Sequence, residues 1–214
     1  MHGSGGNSNI WKEQFNLNIN YNIYALDLPS HSNSEEFSKH SLELYVDVLR
    51  KFIKHLNLKE IILAGHSLGG AVIQSYYFNY PSEVKALFLI GTGGRLRVLP
   101  SILETVKNNF LLFLEDMDDD LKKEFLKTAP NVCYDDFKIC DEFDTLDKTA
   151  QIDIPCLILV GKEDIMTPVK YSEFFHKKIK NSELVIIDNA GHLVMKEKPR
   201  ELNRAIENYI KNCL

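Results

Sequence analysis

Two hydrophobic patterns alternate along this chain. Short continuous apolar runs occur at 21–28 (YNIYALDL), 60–65 (EIILAG), 84–91 (VKALFLIG), 155–161 (PCLILVG) and 184–188 (LVIID), and each predicts a strand. Stretches with apolar residues at helical spacing lie between them. Over 35–56, Leu42, Tyr45, Leu49, Phe52 and Leu56 share one face, and Ser32 with Glu35 forms a capping box ahead of it. Residues 68–80 read as a helix stopped by Pro81. In 168–180, Thr167 is the expected cap, Pro168 the first helical residue, and Tyr171, Phe174, Phe175 and Ile179 the apolar stripe. A last helix opens at Pro199 and carries Leu202, Ile206, Tyr209 and Ile210. Continuous apolar strands alternating with helices predict an α/β fold, a mostly parallel sheet with helices on both faces.

The interval 95–150 interrupts this alternation. It holds an apolar helical stretch at 98–113, an acidic run at 115–120, a second helical stretch at 121–128 and a polar, aromatic tract to 146. No strand signal occurs there, so it reads as a helical insertion. The expected division is a core of 1–94 and 151–214 with the insertion at 95–150. The acidic run reads as a solvated helix start, because aspartates there complement the helix dipole. The aromatics Phe110, Phe113, Phe125, Tyr134, Phe137 and Phe143 suit either a pocket lining or helix packing.

Composition narrows the class. The 214 residues are 44% hydrophobic and 26% charged, as in a single soluble domain. No apolar run approaches the ~18 residues of a membrane span. A net charge of -5 argues against nucleic acid or an anionic membrane as partner. Cys133, Cys140, Cys156 and Cys213 form no CxxC pair and no zinc spacing, so they read as free thiols in a reducing compartment. The opening MHGSGGNSNIW has no pattern of a secretory leader, and the expected location is cytoplasmic.

Candidate chemistry centres on Gly65-His66-Ser67-Leu68-Gly69, where a predicted strand meets a predicted helix. A nucleophile on so sharp a turn needs small residues two before and two after it. A serine hydroxyl also needs a base. His192 follows the strand at 184–188 and is placed for that role. The base in turn needs a carboxylate to fix its tautomer. Asp164, after the strand at 155–161, is favoured over its competitors Glu163 and Asp188. His66 is expected to point away, and His40, His55 and His176 read as surface residues on helices.

With its motifs HGSGG (2–6), DLPSHSNS (27–34), GHSLGG (65–70), GKEDIMTPV (161–169) and NAGHLVMKEKP (189–199), the chain resembles the lipase/esterase-like members of the α/β-hydrolase superfamily. The resemblance implies a serine hydrolase with Ser67, Asp164 and His192 as triad, and the backbone amides of Ser4 and Leu68 as oxyanion hole. It makes 95–150 a cap over the site, and implies a small-molecule ester or thioester substrate and no cofactor. The alternatives are a C–C bond or amide hydrolase on the same triad, or a non-catalytic ligand binder. Two departures from relatives stand out. Ser30-His31-Ser32 replaces a Gly-His-Gly, and Met1 stands at the end of a strand that relatives place between 21–28 and 60–65. The chain therefore reads as an N-terminally truncated form with a gap in its sheet.

Overall fold

A computed structural model describes residues 1–214. Four of the five predicted strands form: β1 (Ile61–His66), β2 (Val84–Ile90), β3 (Cys156–Gly161) and β4 (Ser182–Ile187). All neighbours pair in parallel in the order β1-β2-β3-β4. The two central strands are apolar except for Lys85 near the start of β2, because both of their faces are covered. Leu87, Leu89, Cys156 and Ile158 point to one face, where they join α1 (Leu42–His55), α2 (Leu68–Asn79) and the Phe175 side of α7 (Val169–Lys178). Ala86, Phe88, Ile90, Leu157 and Leu159 point to the other. There they meet Trp11, α8 (Val194–Glu197) and α9 (Pro199–Cys213). Helix α2 is buried on nearly all sides, in line with a sequence that lacks a polar stripe.

The predicted strand at 21–28 does not form; the segment is irregular. A strand is defined by a ladder, and no neighbour is there to supply one. The edge of β1 that faces the segment pairs with Met1 alone: the Met1 ammonium donates to Ala64 O at 2.7 Å and His66 N–H donates to Met1 O at 3.1 Å. A cavity of about 470 Å³ with mainly apolar walls separates residues 19–26 from β1. It lies outside the chemistry described below.

The helix predicted over 35–56 begins only at Leu42. Its cap is Ser41, whose Oγ accepts Leu44 N–H at 3.2 Å, and the capping box of Ser32 and Glu35 is not made. Residues 35–37 are instead tied back to the preceding turn: Ser30 N–H donates to Glu35 O at 2.9 Å and Ser30 Oγ accepts Phe37 N–H at 2.8 Å. Ser30 and Ser32 in that turn hold left-handed backbone, at φ 63° and 48°. These are the positions where the resemblance led one to expect glycine.

Between β2 and β3 the chain is helical: α3 (Pro100–Asn108), α4 (Phe110–Leu114), α5 (Asp119–Phe125) and α6 (Pro130–Glu142). Asn109 divides the stretch expected at 98–113 and caps α4. Asp118 caps α5 by accepting Leu121 N–H at 2.8 Å, as the dipole argument for the acidic run required. The aromatics serve helix packing. Phe113 lies 6.1, 5.9 and 5.4 Å, centroid to centroid, from Phe110, Phe125 and Phe137, while Phe143 belongs to the main core. This helical segment touches residues 4–9 through Ser4–Cys140 and through Asn7 and Asn9 on Glu124. No helix is long and apolar enough to cross a membrane.

Ser32 makes no side-chain hydrogen bond, and its backbone carries the left-handed penalty. Ser32→Gly should therefore stabilise the protein by about 0.5–1 kcal/mol, the αL cost less the greater chain entropy of glycine. Urea unfolding curves of the two proteins would show the midpoint rise.

Candidate active site

Ser67 alone makes the turn from β1 into α2, at φ 52° and ψ -118°. A non-glycine residue in this region costs on the order of 1–3 kcal/mol, and the surroundings must hold it there. Its N–H donates to the carbonyls of Ile90 and Gly91 at 3.1 and 3.2 Å, and Thr92 Oγ1 donates to its carbonyl at 2.8 Å. The turn is tight enough that a Cβ on Gly65 would overlap the Gly69 backbone. A Cβ on Gly69 would overlap the carbonyls of Met1 and His2. The small residues flanking the serine are thus required by close backbone approach.

His192 and Asp164 meet as expected. His192 Nδ1 lies 2.9 Å from Asp164 Oδ2. A carboxylate only accepts, so Nδ1 carries a proton, and in the neutral ring Nε2 then holds the lone pair. Glu163 is exposed, and Asp188 is exposed and paired with Lys162 at 2.7 Å, so neither competitor reaches the ring. Asp164 also accepts the N–H groups of Met166 and Thr167 on Oδ1 and the Thr167 hydroxyl on Oδ2, at 2.9, 2.8 and 2.7 Å. Burial alone would raise the Asp164 carboxyl; the hydrogen bond and charge of His192, with the Thr167 donors, outweigh it and hold the carboxyl below the ordinary aspartate value. Ser67 Oγ makes no hydrogen bond to His192; His192 Nδ1 is taken by Asp164 and Thr167. The three residues converge on Gly91, where a Cβ would lie within 3.4 Å of both Asp164 Oδ2 and His192 O, and whose carbonyl holds Ser67 N–H.

The loop at 2–6 lies against this turn, for a Cβ on Gly3 would be 3.1 Å from Ser67 Cβ. His2 Nε2 accepts Leu28 N–H at 2.9 Å, so its proton sits on Nδ1 and is donated to Gly3 O at 2.8 Å. Burial, then the neighbouring His31, push the His2 ring down to about 3 and keep it neutral. Gly6 N–H also donates to Gly3 O, at 3.1 Å. In a trans peptide the C=O and the following N–H point in opposite directions. Fixing the Gly3 carbonyl therefore turns the Ser4 N–H outward. That amide and the amide of Leu68, at the start of α2, donate to no acceptor in the protein.

The alpha/beta hydrolase family model matches residues 1–205. The chain belongs to this family. It is similar to a putative esterase/lipase of Mycoplasma pneumoniae, 27% identical over 90% of this chain and 80% of that protein. Among solved structures it is similar to a thermophilic esterase, 38% identical, at a TM-score of 0.87 over 98% of this chain and 87% of the other. An esterase from Exiguobacterium antarcticum, 20% identical, shares the fold at a TM-score of 0.89 over 99% and 90%. The chain is an esterase/lipase-like hydrolase.

Several residues around this candidate site were not anticipated. Thr167 was expected to cap α7. Pro168 takes that position and the Thr167 hydroxyl turns to Asp164 instead. His66 does not point away. It is buried, its ring centroid is 4.5 Å from that of His192, and its Nε2–H donates to His192 O at 2.9 Å. Burial, then the adjacent His192, keep His66 well below the ordinary histidine value and therefore neutral. Glu197 accepts the N–H groups of Gly191 and Leu193 at 2.6 and 3.0 Å, gripping the loop on both sides of His192. His40 is not a surface residue on a helix. It precedes α1, its side chain is 2% exposed, and it spans Asp135 and Ser30.

A carboxyl depressed in the folded state adds stability that is fully present above its unfolded pKa and is lost as pH falls through its folded value. Asp164 is such a group. Thr167→Val removes one of its donors and should raise it, so acid unfolding begins at a higher pH than in the parent. The single tryptophan, Trp11, is buried, and its fluorescence during an acid titration would register the shift.

Proposed function

We propose that this hydrolase cleaves an ester or thioester of a small to medium substrate through an acyl-enzyme on Ser67. The observation that carries the reading is the pairing of His192 with Asp164 beside a serine held in left-handed backbone. His192 Nε2, with its lone pair free, takes the Ser67 proton as Oγ attacks the carbonyl carbon. The oxygen that becomes negative is received by the Ser4 and Leu68 amides, which have no other acceptor. Collapse of the tetrahedral intermediate expels the alcohol or thiol, which leaves with the proton from His192. Water then attacks the acyl carbon, gives its proton to the same nitrogen, and Ser67 is released. Serine–histidine hydrogen bonds tighten once substrate fills such a site, and the open contact seen here fits that behaviour.

In this reading 95–150 is a cap that roofs the site, and 1–94 with 151–214 is the core that carries the chemistry. Support comes from the contacts of Cys140 with Ser4 and from Phe125 and Cys133, which would meet a Cβ on Gly5. Ile165 and Met166, directly after Asp164, are 90% and 50% exposed and leave apolar surface beside the site, which suits an apolar acyl chain. The substrate is a small molecule and the chemistry calls for no cofactor.

Ser67→Ala should lower kcat for a short p-nitrophenyl ester by roughly 10⁴–10⁶ and abolish labelling by a fluorophosphonate. A folded Ser67→Ala protein that keeps its esterase activity would refute the assignment. Rates across p-nitrophenyl esters of increasing chain length would then define the acyl preference.

A further inference from the structure

Asp136 lies on α6, and its side chain is wholly removed from water. Three donors from three parts of the chain converge on it. Its Oδ2 accepts Gly5 N–H and His31 Nε2–H, each at 2.8 Å, and its Oδ1 accepts Tyr45 O–H at 2.6 Å. The other ring nitrogen of His31, Nδ1, is 2.9 Å from the Pro29 carbonyl, which can only accept. Both nitrogens of His31 therefore donate, the ring is an imidazolium, and the pair with Asp136 is ionic. Burial opposes the charge on each partner. Their mutual attraction, with Tyr45 and Gly5 on the carboxylate, outweighs it, so His31 is held above and Asp136 below its ordinary value.

The bond to Gly5 reaches the loop that presents the Ser4 amide. Ser4 stands between two peptide groups. The one before it is fixed by His2 and Gly6 on the Gly3 carbonyl. The one after it ends in Gly5 N–H, and Gly5 holds φ 62°, one of several conformations open to a glycine. The Gly6 N–H bond to Gly3 O closes a turn across Ser4 and Gly5 that calls for positive φ at Gly5, and the Asp136 bond to Gly5 N–H anchors that turn to α6.

We propose that Asp136 is a positioning residue for the reaction: from the helical segment it anchors the Gly3–Gly6 turn through Gly5 N–H, so that the turn presents the Ser4 amide to the oxygen of a carbonyl bound at Ser67. The assignment rests on the reading of Ser67 and Ser4 given above. It joins the helical segment to the chemistry through one carboxylate, independently of any contact that segment makes with substrate.

The test is kinetic, per active site titrated with a fluorophosphonate. Asp136→Ala should lower kcat about 10- to 100-fold with KM within about threefold, the loss expected when an oxyanion donor is misaimed but not removed. Asp136→Asn can keep its oxygen on Gly5 and turn its amide to the Tyr45 hydroxyl, and should recover to within about three- to tenfold of the parent. Affinity for a trifluoromethyl ketone, which binds as an oxyanion, should fall in step with kcat in both. Val132→Ala, buried on the same helix without polar contacts, should lower the unfolding temperature yet leave kcat per site unchanged. Parental kcat and ketone affinity in the Asp136 variants would overturn the proposal, and Asp136→Asn decides if the alanine variant does not fold. Ser67→Ala, run in parallel, separates the failures. If it stays active, the reading of Ser67 is wrong. If it is inactive while the Asp136 variants match the parent, only the positioning role falls.

Discussion

The left-handed backbone at Ser67 is the constraint around which the rest of the molecule is arranged. One residue must reverse the chain from β1 into α2, and the cost of that conformation has to be met by its surroundings. The carbonyls of Ile90 and Gly91 hold its N–H because β2 runs parallel to β1 in a register that ends at the same level, His66 opposite Ile90. Helix α2 can start immediately only because its second residue is a glycine seated on the Met1 and His2 carbonyls. The same closeness brings the 2–6 loop to the serine. Strain, sheet register and loop placement are thus one condition seen at three points.

A second condition is electrostatic. Removing a carboxylate from water costs several kcal/mol unless its lone pairs are met by donors. Asp164 and Asp136 are both removed, and each collects donors from outside its own helix or loop. The three buried histidines at the site take different states for reasons visible in their partners. His2 faces an amide and a carbonyl and is neutral. His66 faces only a carbonyl, and burial keeps it neutral. His31 faces a carbonyl and a carboxylate and is charged. Placing the cation 5.0 Å from His2, centroid to centroid, helps to hold that ring uncharged and so preserves its bond to Gly3.

The legible parts of the sequence were those set by local pattern. β2 and β3 read as apolar runs, broken only by Lys85 in β2, because both their faces are covered. Gly65 to Gly69 was legible because a tight turn demands small residues at fixed offsets. The segment 21–28 carries the composition of a strand, yet strand formation is a property of pairs, and its side of β1 offers only Met1. Helix α1 begins late because residues 35–37 bond back to Ser30, a pairing that their composition does not advertise. Thr167 satisfies the rule for a helix cap, but a buried carboxylate three residues earlier is the stronger claimant for its hydroxyl. Asp136 had no local signature at all. Its partners lie 131, 105 and 91 residues away, and the only hint was an acid on a helix whose neighbours Val132, Cys133, Phe137 and Cys140 are apolar.

The wide sequence separations follow from the parallel sheet. Parallel strands present all their C-terminal ends on one side, so the turns after β1, β2, β3 and β4 are neighbours in space however far apart they lie in the chain. Ser67 follows β1, Gly91 follows β2, Asp164 follows β3 and His192 follows β4. A chemistry that needs a nucleophile, a base and an acid can draw one from each. The strands are fixed by burial on both faces, while the turns are free to vary. The helical segment between β2 and β3 leaves from the Gly91 side of this cluster and returns to β3, so its helices settle over the same edge. That placement is what allows a carboxylate on α6 to reach Gly5, and it makes the geometry of the 2–6 loop answer to the packing of a segment that supplies none of Ser67, Asp164 and His192.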